Sequence, residues 1–346
     1  MKALKFLKPN KYEYIETEIP KIDTDMMLIK VMAAGICRSD VVAFRGKHSK
    51  RVPPVITGHE FSGVIKSIGE RAAGEFNVGD RVVIEPHIGC GSCFYCKSGR
   101  YNLCPNKRFI GVGNWVGCFA EYVSVYPSMC FSMPDELSFE EGALMEPFCV
   151  GNHAVELAQL LFDSSVAILG CGTIGMMTIK SLVSHGLKEI FGTDVSEVKL
   201  EFALAQGATR TFNPTKEDIV PLLLNVTNSI GVDAVFITSP FPELINQAVR
   251  ICKKGGKIII IAAFEDPILF HFIKIPHGEF NVIGSHMYTK KDYAYALEEY
   301  KKGNLNLLPL ITKKISFKQA GKFIKELAMG KHSDEIKIII DYNYDL

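Results

Sequence analysis

Three short stretches of this chain hold side chains able to bind a metal or move a proton. Gly58-His59-Glu60 sets an imidazole beside a carboxylate in an otherwise apolar, glycine-bounded segment. Cys37-Arg38-Ser39-Asp40 lies upstream of it, and Met145-Glu146-Pro147 far downstream. Thiolate, imidazole and carboxylate are the donors that zinc takes, and a zinc that does chemistry keeps one position open for water or substrate. A His-Glu dipeptide alone is a weak signal. It gains meaning if Cys37 and Glu146 converge on it.

A second metal pattern is far more specific. Cys90-Gly-Ser-Cys93-Phe-Tyr-Cys96 is followed by Cys104. Four thiolates at short loop spacing surround one tetrahedral zinc, and such a site is closed to substrate. It is expected to be structural, tying down a lobe with few core residues. Two Cys-x-x-Cys steps in tandem, with no thioredoxin-like context, argue against a redox pair.

The third pattern is Val166-Ala-Ile-Leu-Gly170-Cys-Gly172-Thr173-Ile174-Gly175. The first glycine permits the tight turn out of a strand, the second a close approach of backbone to a pyrophosphate, the third close packing of helix on sheet. The phosphates would sit on the free N–H groups of the helix N-terminus. Asp194 closes the next strand, where a carboxylate accepts the adenosine ribose hydroxyls and repels a 2′-phosphate, so NAD is expected over NADP. Lys199 reads equally as a second ribose contact and as a solvated helix lysine.

The elements that must position these groups fall into two textures. Up to about residue 135 the chain reads as short strands with turns, including Lys2 to Phe6, Met27 to Ala34, Val64 to Ile68 and Arg81 to Ile84. No long helical period occurs there, which predicts a mostly β domain shaped as a partly open barrel. Glu140 to Leu161 has helical spacing with an interruption at Gly151-Asn152. Strands and helices then alternate, ending in the apolar run Lys257 to Ala263 and in Phe280 to Gly284, the rhythm of a doubly wound parallel sheet. Two amphipathic helices and a last strand, Ile336 to Asp341, are expected to return to the first domain.

Bulk properties fit a soluble globular protein. The 346 residues carry 47% hydrophobic and 22% charged side chains and a net charge of +1, so no global charge draws the chain to nucleic acid or membrane. No apolar run is long enough to span a bilayer, and no signal-peptide core opens the sequence, so a cytoplasmic location is expected. The ten cysteines would then be thiols or metal ligands.

Together these motifs, with Gly79-Asp80-Arg81-Val82 and Phe119-Ala120-Glu121-Tyr122, resemble the zinc-dependent medium-chain dehydrogenase superfamily over nearly the whole chain. The glutamate in Glu146-Pro147 resembles the polyol branch, with sorbitol, xylitol and threonine dehydrogenases. Segments such as Cys149-Val-Gly-Asn-His-Ala154 and Val282-Ile283-Gly284-Ser285 are similar to galactitol-1-phosphate 5-dehydrogenases and other polyol-phosphate dehydrogenases. The resemblance implies an α/β protein: a GroES-like catalytic zinc domain over 1–150 and 285–346, an NAD-binding Rossmann domain over 151–284, and an active site in the cleft. Two zinc ions per chain, NAD and a homodimer or homotetramer are implied with it.

Matched residue by residue, Cys37 and His59 correspond to the family's catalytic zinc ligands, while Glu60 and Glu146 both match positions that complete the set. Ser39 matches the hydroxyl that relays the substrate proton, and Asp40 the carboxylate that orients the ligand imidazole. The relay histidine common in the family is replaced by Val42, which leaves ribose, water or Glu60 to carry the proton on. Arg38 stands where polyol enzymes often have glycine and is a candidate pyrophosphate contact. The implied reaction is hydride transfer from a secondary alcohol of a polyol or polyol phosphate to NAD. The basic loop Arg45-Gly-Lys47-His48-Ser-Lys50-Arg51 reads either as a phosphate holder or as a solvated charged loop. Phe44, Trp115 and Tyr288 are candidate substrate-lining residues, Trp115 being equally credible as packing. Threonine oxidation, free sorbitol or xylitol oxidation, and a non-catalytic NAD-binding role are the alternatives.

Overall fold

The computed structural model describes residues 1–343 apart from 73 and 265; the last three residues of the span expected for the zinc domain, 344–346, lie outside it. The chain divides into two compact units, Met1–Glu146 with Thr289–Leu346, and Pro147–Tyr288.

The first unit is built mainly from antiparallel strands. In chain order they are β1 (Lys2–Lys8), β2 (Lys11–Glu16), β3 (Met27–Gly35), β4 (Val55–Ile56), β5 (Glu60–Ile68), β6 (Arg81–Ile84), β7 (His87–Ile88), β8 (Arg108–Phe109), β9 (Tyr122–Val125) and β10 (Cys130–Ser132). One sheet runs β2-β1-β4; a larger one runs β10-β6-β5-β3, with β9 also on β3. Strand β3 alternates buried and half-buried residues, as a strand with one face on a core should. Its inward side chains, Met27, Ile29 and Val31, join Phe61, Ile65, Val82 and Phe119 in one apolar cluster.

Two short helices interrupt the strands, α1 (Arg38–Phe44) and α2 (Phe94–Lys97). The sequence pattern showed no helix at α1, because seven residues are too few for a period. Its start signal is local instead: Asp40 Oδ2 accepts from Cys37 N and the Cys37 thiol accepts from Ser39 N, a capping box with cysteine in the place of serine.

Helix α3 (Phe139–Ala158) carries the chain from the first unit to the second. It runs unbroken through Gly151-Asn152, where an interruption was expected. Glycine there serves packing: a Cβ on Gly151 would lie 2.7 Å from the Thr178 nitrogen of the next helix. Asn152 Oδ1 takes the Ser181 hydroxyl proton at 2.9 Å.

Among its described residues the second unit holds six parallel strands, β11 (Ser165–Leu169), β12 (Glu189–Thr193), β13 (Arg210–Phe212), β14 (Val232–Ile237), β15 (Cys252–Ile260) and β16 (Asn281–Gly284), in the order β13-β12-β11-β14-β15-β16. Between them lie α4 (Thr173–Ser184), α5 (Glu197–Ala205), α6 (Ile219–Val226), α7 (Glu243–Ile251) and α8 (Lys274–Gly278). The order reverses next to β11, and that switch point is where a doubly wound sheet binds nucleotides.

The closing segment, α9 (Lys290–Lys301), β17 (Ile311–Ser316), α10 (Ala320–Ala328) and β18 (Lys337–Asp341), belongs to the first unit. Strand β18 inserts between β3 and β17, with Ile339 opposite Gly35. No helix among the described residues is long and apolar enough to cross a membrane.

Candidate active site

Strand β3 ends at Gly35, α1 begins at Arg38, and β5, the neighbour of β3, begins at Glu60. Cys37 is the N-cap of α1, and His59 stands just before β5. The register pairs Gly35 with Glu60, so both segments enter the cluster at the same level of the sheet. The donor atoms of Cys37, His59 and Glu60 all lie within 4.8 Å of one another. Glu146, on α3, acts on Cys37 and on Lys337 through its charge but stands outside that group of three.

The electrostatics are those of a buried polar cluster. Burial, then the Glu60 carboxylate, pushes the Cys37 thiol up to about 12, against the pull of Lys337. Burial, then Arg51, holds His59 well below its ordinary value, so the ring is neutral. Neutral imidazole and thiolate are the forms that a metal binds, and a bound cation would stabilise the thiolate that burial disfavours. The donor set therefore fits a zinc.

Two cations complete the cluster. Lys337, on β18, donates to Glu60 Oε2 and, at 3.2 Å, to the Ile36 carbonyl. Its side chain is 1% exposed and that of Glu60 2%. Arg51 donates to Ser39 Oγ at 2.7 Å and Asp40 Oδ1 at 3.3 Å, and its Nη2 lies 2.8 Å from His59 Nδ1. Asp40, expected to orient the imidazole, instead accepts from Cys37 N and from Arg51, which stands between it and His59.

Sequence reasoning placed neither cation in the site. Arg51 was read only as part of the basic loop. Lys337 left a faint signal, one lysine in the apolar run Ile336-Lys337-Ile338-Ile339-Ile340.

The cysteine loop gathers Cys90, Cys93, Cys96 and Cys104 around one point, with their sulfurs within 4.8 Å of one another. Cys93 and Cys96 are 3.5 Å apart, and Cys90 and Cys96 4.0 Å. A tetrahedron of thiolates with zinc–sulfur bonds of about 2.3 Å has edges of about 3.8 Å. The loop therefore fits zinc as well.

In the second unit, Gly170 leaves β11 with φ +107°, a backbone that favours glycine. Gly172 is the N-cap of α4, whose first turn holds Thr173 and Ile174. Gly175 faces the Gly170 carbonyl oxygen so closely that a Cβ would collide with it. Asp194, just past β12, accepts from Cys171 N at 2.8 Å and from Ser196 N at 3.0 Å. Lys199 lies on α5, its backbone N–H capped by the Ser196 hydroxyl.

The remaining candidates are scattered. Arg38 is exposed at the first position of α1. In the basic loop, Arg45 donates to the Ala328 carbonyl at the end of α10. His48 Nδ1 accepts from the backbone of Lys50 and Arg51, and Lys47 is exposed. Phe44 is buried in the core cluster and stacks on Tyr12 at 5.7 Å. Trp115 donates to the Ser124 carbonyl and packs edge-on against Tyr126. Tyr288 is buried at the end of the second unit.

Known proteins resemble this chain in sequence and fold. Residues 23–135 match the alcohol dehydrogenase GroES-like domain, and residues 173–302 the zinc-binding dehydrogenase domain. The chain is 36% identical over 331 residues to the sorbitol dehydrogenase of Bacillus subtilis (strain 168), covering 94% of this chain and 93% of that protein. The galactitol-1-phosphate dehydrogenase structure from Escherichia coli superposes with a TM-score of 0.91 at 29% identity, covering 99% of this chain and all of that one (100%). An NADP-bound structure from Sinorhizobium meliloti 1021 gives a TM-score of 0.91 at 30% identity over 98% of each chain.

Proposed function

The chain belongs to the zinc-dependent medium-chain dehydrogenases, in their polyol dehydrogenase branch, and we propose that it oxidises a secondary alcohol of a polyol phosphate with NAD as acceptor. The observation that carries the reading is the Cys37–His59–Glu60 group with the Ser39 hydroxyl two residues from Cys37. We assign Cys37 and His59 as ligands of a catalytic zinc, with Glu60 or Glu146 completing the set, and the four loop cysteines as ligands of a structural zinc. When bound, the catalytic zinc would supply Lewis-acid polarisation of the alcohol oxygen. Ser39 Oγ would accept the alcohol proton while passing its own hydroxyl proton on to ribose, water or Glu60, having one lone pair occupied by Arg51 and one left.

Asp194 supports NAD: its carboxylate is pinned by two backbone N–H groups and would face the ribose, where a 2′-phosphate meets like charge. For the phosphate of the substrate the support is the exposed lysines Lys47 and Lys50 of the basic loop, with His48 between them in sequence. A homo-oligomer in the cytoplasm completes the proposal.

The test is an NAD-reduction screen over polyols, their phosphates and threonine. Turnover of a polyol phosphate well above that of the free polyol supports the proposal. Free sorbitol or xylitol used far better, or threonine alone, replaces the substrate; no turnover at all favours a non-catalytic NAD-binding role.

A further inference from the structure

One guanidinium joins three polar groups of the site. Arg51, 3% exposed, makes its two shortest contacts with Ser39 Oγ at 2.7 Å and His59 Nδ1 at 2.8 Å, and a longer one with Asp40 Oδ1 at 3.3 Å. The Phe109 ring lies 5.9 Å from its Cζ. A structural ion pair needs only the carboxylate. Here the closest partners are a hydroxyl oxygen and an imidazole nitrogen.

Arginine carries donors only, so both Ser39 Oγ and His59 Nδ1 accept from it. The two contacts have opposite consequences. At Ser39, an occupied lone pair fixes the hydroxyl rotamer. At His59, the Arg51 bond competes with metal. A metal on Nδ1 displaces the guanidinium outright. A metal on Nε2 requires the ring proton to sit on Nδ1, and that proton then points at another donor.

We propose that Arg51 is a positioning residue of the site, which releases His59 to the metal while it keeps hold of Ser39 and Asp40. The proposal rests on the dehydrogenase reading above. It does not replace the relay histidine that the resemblance calls for at Val42, but it adds a cation to the Ser39 hydroxyl at the head of the relay. Arg51 reaches the same hydroxyl from 12 residues further along the chain. The guanidinium takes up no proton, so its contribution is geometry and charge.

The test compares wild type with R51M and R51Q by competitive zinc titration against a chelator and by steady-state kinetics. R51M removes the competitor at His59, so zinc at the catalytic site binds about tenfold tighter. The same change frees the Ser39 hydroxyl, so kcat falls about 100-fold while KM for the alcohol stays within about threefold. R51Q keeps a neutral donor: it binds zinc as R51M does and recovers about tenfold of the lost kcat, and it carries the same metal prediction should R51M not fold. A merely structural arginine would weaken metal binding and rate together. Zinc affinity unchanged or weaker in both variants overturns the proposal, and so does a kcat within about threefold of wild type. If the wild type oxidises no alcohol, the dehydrogenase reading fails on that result, and the zinc titration still decides whether Arg51 and metal compete.

Discussion

Lys337 and Glu60 form an ion pair 277 residues apart in sequence and almost wholly shielded from water. Burial works against the charge on Lys337, yet Glu60, with Cys37 and Glu146, leaves its pKa above the ordinary lysine value. The pair ties β18 to the start of β5, across β3, and Gly35 of β3 lies against both side chains. Removing one partner leaves an uncompensated buried charge. Lys337→Met is expected to cost about 3–5 kcal/mol, and the double variant Lys337→Met/Glu60→Gln to recover most of it. Denaturant unfolding of wild type and both variants checks this; equal loss in the single and the double would refute the pairing.

Gly35 offers an independent approach to the same pair. A Cβ there would collide with Glu60 Oε2 and lie 2.8 Å from Lys337 Cε. Gly35→Ala is therefore expected to destabilise the first unit by about 1–3 kcal/mol through overpacking. The loss should be smaller in a Glu60→Gly background, where the collision is absent. A double-mutant cycle measures the difference, and simple additivity of the two changes would show that the collision is relieved elsewhere.

Glu85 sets a pH dependence. Burial pushes its carboxyl from 4.5 up to about 8, against the Tyr101 hydroxyl that donates to it at 2.5 Å. Asp292 adds to the rise and Lys290 opposes it, with His87 3.5 Å away. A folded pKa raised above the unfolded one means stability present in full below about 4.5 and lost as pH rises through 4.5 towards 8. Glu85→Gln keeps the acceptor oxygen and removes the titration. Its melting temperature should gain on wild type across that window and run parallel to it above. A constant difference from pH 4.5 to 8 would exclude the shift.

What the sequence made legible was the part of each site that is local in the chain. The four cysteines span 15 residues, and the glycine turn six, so spacing alone carries their geometry. Cys37 is separated from His59 and Glu60 by α1, the basic loop and β4, and their types suggested the chemistry while a resemblance supplied the grouping. Arg51 and Lys337 became visible only in three dimensions. A lysine in an apolar strand and an arginine in a basic loop have many explanations until the partner across the sheet is known. The helix through Gly151-Asn152 was misread for the same reason. Its glycine answers to the backbone of α4, which no local rule contains.

The cysteine loop should respond to metal removal separately from the cluster. Its helix α2 has four residues, none of them buried, so little apolar burial holds the lobe. Cys93→Ser is expected to release one zinc per chain and to expose residues 90–104 to protease, while the remaining zinc stays with the Cys37 cluster. Metal analysis with limited proteolysis reads both. Full zinc content with an intact loop would rule out a structural metal there.

Asp194 gives the sharpest cofactor test. Its two oxygens are engaged by Cys171 N in the glycine turn and by Ser196 N ahead of α5, so the carboxylate fixes the turn as well as the expected ribose site. Replacing it removes the like charge that disfavours a 2′-phosphate and, at the same time, two acceptors. Asp194→Ser keeps a short acceptor and is expected to lower kcat/KM with NAD about tenfold or more while raising the NADP to NAD ratio by about 100-fold. The relative solved with NADP shows that this architecture accommodates the phosphorylated cofactor. The measurement is kcat/KM for both cofactors in both proteins. If wild type uses NADP as well as NAD, the carboxylate is not the discriminating group. A loss with both cofactors in equal proportion would assign Asp194 to the turn alone.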